Sequence, residues 1–218
     1  MNRTGRGVRV AVIDSGVNAD HPHVGGVAGG IGIEGDDYVD RLGHGTAVAA
    51  AIREKAPEAL LYAVKVFDRA LSTNIETLAR ALEWCIAERM DVINLSLGTL
   101  NPAHRERFER LADAGAVLVI PEENAVLPSS LPFVIPVALD WECPREGYRF
   151  VVTDSGPIFY ASGYPRPIPG VPPERNLHGL SFAVANMTGF VARARQAGSG
   201  SLRQVLTENA LNYAPARP

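Results

Sequence analysis

Two cysteines in 218 residues, Cys85 and Cys143, are too few for a disulfide framework, and their spacing does not suit a metal site. Cys85 falls inside a helical pattern and reads as a small buried apolar residue. No apolar run approaches the length of a membrane span. The first residues, MNRTGRGVRVAVIDSG, lack the apolar core of a signal peptide and lead straight into a strand pattern, so a soluble cytoplasmic chain is the expectation. An excess of one charge is missing too. With 21 Lys and Arg against 24 Asp and Glu, the net charge of −3 gives nothing to draw nucleic acid or an anionic membrane.

What is present is apolar surface in quantity. At 46% hydrophobic the chain can bury one sizeable core, and a single domain over 1–218 is expected. Short β-branched runs alternate with helical patterns: VRVAVID (8–14), LLYAVKV (60–66), VINLSL (92–97), AVLVIP (116–121) and VIPVA (134–138) read as strands. Their nearly continuous hydrophobicity suits a parallel sheet covered on both faces. After the second strand, Thr73 and Glu76 form a capping box, and Ile75, Leu78, Ala79, Leu82 and Ile86 make one apolar helix face. After the third, Asn101 is a candidate N-cap ahead of Pro102; Phe108, Leu111 and Ala112 point inward and Gly115 ends the helix. The alternation predicts an α/β fold, an open and mostly parallel sheet with helices on both faces. Between about 140 and 178 the pattern dissolves into turns, and 163–175 is a Pro- and Gly-rich loop.

Open α/β sheets carry reactive groups beyond the carboxyl ends of their strands. Asp14 closes the first strand ahead of Gly16, where an aspartate either caps a turn or serves chemistry. His44 stands between two glycines at the head of a thin-walled helix, Ala47 to Ile52, which packs deep in the core. Ser181, two residues after Gly179, is the third such residue and stands at the head of another helix of small and apolar residues. There it is either a helix cap or a hydroxyl beside free N–H groups and the positive end of a helix dipole. A hydroxyl so placed can be a nucleophile next to an oxyanion site.

The order Asp, His, Ser, each in its own motif, resembles the subtilisin-like serine protease family (subtilases) over roughly residues 8 to 195. DSGVNADHPHV (14–24) is similar to the family's aspartate segment, GHGTAVA (43–49) to its histidine segment and GLSFAVANMTG (179–189) to its serine segment. The resemblance implies a three-layer subtilisin-like fold in minimal form and a serine endopeptidase needing no cofactor. It implies that Asp14 orients His44, that His44 shuttles the proton of Ser181, and that Ser181 forms an acyl-enzyme. It implies further that Asn124, in VLVIPEEN (117–124), supplies an oxyanion donor, and that Ser96, Leu97 and Gly98 receive the backbone of a peptide or protein substrate.

Departures from the family pattern refine these expectations. Pro121, Glu122 and Glu123 replace small residues that wall the pocket for the residue before the scissile bond; two carboxylates there would favour Arg or Lys, unless they point to solvent. The connection REKAPEA (53–59) is too short for the calcium loop many subtilases carry, so no metal is expected and activity should be indifferent to chelators. Ala47, Ala185 and Asn186 stand where the family usually has His, Pro and His, which implies altered packing with the chemistry kept. The short chain without a recognisable pro-segment suggests a narrow-specificity intracellular processing protease, acting for example on a precursor or leader peptide. A catalytically silent peptide binder and an acyl-transferring ligase or cyclase are the alternatives.

Overall fold

The computed structural model describes residues 3–99, 101–122, 127–129, 131, 133–154, 156–196 and 201–212. Its strands are β1 (Arg9–Asp14), β2 (Gly29–Gly32), β3 (Leu60–Lys65), β4 (Val92–Leu95), β5 (Val117–Pro121), β6 (Val134–Leu139), β7 (Tyr148–Thr153) and β8 (Gly156–Ala161). The helices are α1 (His44–Lys55), α2 (Ile75–Ala87), α3 (Arg105–Asp113), α4 (Leu180–Arg195) and α5 (Leu202–Glu208). The strands form one sheet in the order β2-β3-β1-β4-β5-β6-β8-β7, parallel except for β7, which runs antiparallel to β8 at the edge.

Side chains of a strand alternate between faces, and both faces of this sheet are covered. Val10 and Val12 of β1 enter one core with Val48 and Ile52 of α1, Val191 of α4 and Leu206 of α5. Ala11 and Ile13 enter the other with Leu78 and Leu82 of α2 and Phe108 and Leu111 of α3. That is the α/β layering the alternating sequence predicts, and it is a subtilisin-like fold. Helix α1 is buried along Val48, Ala49, Ala50, Ala51 and Ile52, so its small side chains let it lie close against α4. Cys85 is fully buried, which pushes its thiol well above the ordinary range; it is a packing residue.

Four local expectations are corrected. Helix α2 is capped by Asn74, whose side chain accepts from Thr77 N, so the box led by Thr73 does not form. Ala112 faces solvent while Phe108 and Leu111 are buried. Strand β4 stops at Leu95, and Ser96 and Leu97 lie past its end. The stretch read as turns contains β7 and β8. Their residues are β-formers, but Pro157 interrupts the run, and Val151 and Val152 are exposed as on an edge strand. The outer rim at β7 is closed by Asn212: Phe150 N donates to its Oδ1 at 3.0 Å, and its Nδ2 donates to Phe150 O at 2.8 Å.

Candidate active site

Strands β1, β4 and β5 are parallel neighbours, so Asp14, Ser96 and Glu122 leave the sheet at the same carboxyl edge. Above that edge stand the first residues of α1 and α4, the helices headed by His44 and by Leu180 and Ser181.

Asp14 is buried, 1% exposed, and its Oδ1 accepts from His44 Nδ1 at 2.8 Å and from Ser15 N at 2.7 Å. A buried carboxylate needs such partners, because desolvation without them costs several kcal/mol, roughly, per ion. Burial of the imidazole works against its charged form. The hydrogen bond from His44 to Asp14, with the charges of Asp14 and Asp40, outweighs this and holds the His44 pKa above its ordinary value of 6.5. With Nδ1 engaged by Asp14, Nε2 is the nitrogen left for chemistry. The contact depends on Gly45, which lets the first turn of α1 press against the end of β1.

Ser181 does not cap its helix. The N-cap of α4 is Gly179, at φ +136°, and Ser181 sits inside the first turn, half-buried. Its neighbour Phe182 packs on the imidazole of His44, with ring centroids 5.4 Å apart. The serine-bearing turn and the histidine ring are thus adjacent. Two buried polar residues fix α4 in place. Thr188 Oγ1 lies 3.0 Å from Asn94 Oδ1 of β4. Asn186 Nδ2 donates to Ser162 O at 2.9 Å and Tyr164 O at 3.0 Å. Asn186 thereby ties α4 to the segment that follows β8. Tyr164 O also accepts from Arg145 Nε at 3.2 Å, and Arg145 pairs with Glu54 of α1. One carbonyl of the Pro-rich segment is thereby fastened to both helices.

The remaining residues are less tightly gathered. Ser96, Leu97 and Gly98 continue beyond β4, and Thr99 then bridges to Leu127 with both backbone bonds at 2.8 Å. Ser96 Oγ is buried without a hydrogen-bond partner among the described residues. Glu122 is half-buried, its N–H donating to Val137 O at 2.8 Å. Glu123 and Asn124 lie outside the described residues. Among the described residues, no group of three or more His, Cys, Asp or Glu is arranged to hold a metal ion.

Sequence reading missed Ser15 and Asp40. Ser15 is fully buried between Asp14 and α1, and Asp40 accepts backbone and side-chain donors around His44. The signal for Asp40 was present: a carboxylate three residues ahead of Gly43, which has no side chain to cap a helix.

A parallel α/β sheet with a paired carboxylate and imidazole at its carboxyl edge is the frame that the site defines. The subtilase family model matches residues 5–126, which include Asp14 and His44 and stop short of Ser181. The chain belongs to the subtilase family. It is 38% identical over 134 residues to subtilisin E of Bacillus subtilis (strain 168), covering 56% of this chain and 35% of that protein. It is 36% identical over 135 residues to the minor extracellular protease Epr of the same organism, covering 56% of this chain and 20% of that protein. With the thermostable alkaline protease of Halalkalibacterium halodurans it shares 39% identity over 128 residues, 53% of this chain and 35% of that protein. The chain thus spans about a third or less of the length of these relatives.

Proposed function

We propose that this chain is a serine endopeptidase in which Asp14, His44 and Ser181 act as one unit. The observation that carries the reading is the 2.8 Å hydrogen bond from His44 Nδ1 to the buried Asp14. It engages Nδ1 and leaves Nε2, which in this reading takes the Ser181 proton as Oγ bonds to the scissile carbonyl carbon. The same nitrogen then gives that proton to the leaving amine, and water releases the acyl group by the reverse proton path. The N–H of Ser181 in the first turn of α4, with the amide of Asn124, would hold the oxyanion. An extended peptide would lie against Ser96, Leu97 and Gly98, the residues that continue beyond β4.

Labelling with a serine-directed fluorophosphonate tests this directly. The native chain should take up one label, lost in Ser181→Ala and in His44→Ala. Peptide binding without labelling would instead mark a silent relative.

The finer reading is a processing protease of narrow specificity, working inside the cell on a precursor or leader peptide. The narrow specificity has its support in Glu122, the residue after β5, a carboxylate where the family's pocket wall is usually small. Casein should be degraded slowly and at few bonds; rapid, general digestion would overturn the narrow-specificity reading.

A further inference from the structure

The hydrogen bonds behind His44 close into a ring. Asp14 Oδ1 accepts from His44 Nδ1 and from Ser15 N. Ser15 Oγ accepts from Gly45 N at 2.9 Å and donates its single proton to Asp40 Oδ1 at 2.9 Å. Asp40 Oδ1 also accepts from Leu42 N at 2.9 Å and Gly43 N at 2.8 Å. Its Oδ2 accepts from Thr46 N at 2.8 Å and Thr46 Oγ1 at 2.6 Å. The path leaves the imidazole through β1 and returns to it through the first turn of α1.

This arrangement answers a local need. The first N–H groups of a helix have no partner within it. Gly43, the N-cap of α1, has φ +84° and no side chain to offer. Asp40 supplies the acceptor instead, and its charge lies where the helix dipole is positive. The turn so anchored is the one that begins with His44.

We propose that Asp40, acting through Ser15 and the first turn of α1, is a positioning residue that sets the orientation and basicity of His44. The proposal rests on the peptidase reading for its kinetic consequence. The charges that act on His44 among the described residues are Asp14, from the end of β1, and Asp40, from the loop before α1; α4 presents the neutral ring of Phe182. Asp40 also borders a cavity of about 440 Å³ that His21, His23 and Arg166 line. Burial alone would raise the Asp40 pKa, but the hydrogen bonds from Thr46, Leu42 and Gly43 hold it below the ordinary carboxyl value. The charge therefore persists through the range in which His44 titrates.

Asp40→Asn keeps the size, removes the charge and places an NH2 where at least one acceptor is needed. Its kcat should fall by up to about a hundredfold with KM little changed. The acid limb of kcat/KM, and the NMR titration of the His44 imidazole, should both move to lower pH. Ser15→Ala keeps both charges, so it should lower kcat with a smaller move in the titration. A folded Asp40→Asn with kcat within about twofold of native and an unmoved His44 titration overturns the proposal. Should Asp40→Asn fail to fold, Ser15→Ala decides: lowered kcat at native KM supports the proposal, and native kcat overturns it. The NMR titration needs no turnover. An inactive native chain would sink the peptidase reading and leave the effect on His44 to be judged by itself.

Discussion

Gly45 and Gly16 meet so closely that a Cβ at position 45 would lie 2.2 Å from the Gly16 carbonyl oxygen and 3.2 Å from Asp14 Oδ1. Backbone cannot swing aside as a flexible side chain can. Gly45→Ala should therefore cost about 3 kcal/mol, the upper end for overpacking, and should separate His44 from Asp14. Urea unfolding checks the stability; a native midpoint would show that this contact is loose.

The raised His44 pKa has two consequences of definite sign. Catalysis needs the neutral ring, so the acid limb of kcat/KM should have its midpoint above 6.5, the ordinary histidine value. Stability runs the other way. A pKa higher in the folded than in the unfolded state contributes stability that is full below the unfolded value and is lost as pH rises through the folded one. Asp14→Asn should lower the acid limb and reduce kcat by roughly 10⁴, as the equivalent change does in a comparable triad. A pH–rate profile of the native chain centred below 6.5 would contradict this account.

Asn186 is buried, and its amide serves two carbonyls. Asn186→Leu would leave the Ser162 oxygen without that partner and Tyr164 O with Arg145 alone, at a cost of about 1–3 kcal/mol. Denaturant unfolding should show the loss, and amide exchange should quicken along residues 162–166.

Peptides matched except at the residue before the bond should be cleaved in the order Arg over Leu over Glu, if Glu122 faces that side chain. The advantage of Arg should be about tenfold or more and should shrink in Glu122→Gln. Equal rates for Arg and Leu would remove Glu122 from the pocket.

Activity should be unchanged after incubation with a calcium chelator, since α1 passes to β3 through residues 56–59 alone. Strong inactivation would reveal a cation site elsewhere.

The parts of this fold legible in sequence were those where one residue type answers one local demand. Buried parallel strands must be apolar on both faces, so β1, β3, β5 and β6 showed themselves within a residue or so. Asp14 and His44 stood out because a charge after an apolar strand and an imidazole between glycines need a reason. β7 and β8 were hidden because a half-exposed edge hairpin containing Pro157 looks like loop until its partner is known. Asp40 and Ser15 were hidden for a different reason. The donors to Asp40 are spread over positions 15 to 46, and only the folded chain shows that one carboxylate answers Ser15, Leu42, Gly43 and Thr46 together.

At the rim beside Phe150 the side-chain amide of Asn212 imitates the next strand, and at the opposite rim β2 is a four-residue piece made mostly of glycine. Neither border invites another chain to extend the ladder. Sheet growth by edge pairing is thus disfavoured at both ends, at one by a borrowed side-chain amide and at the other by a strand too short and too bare to serve as a template.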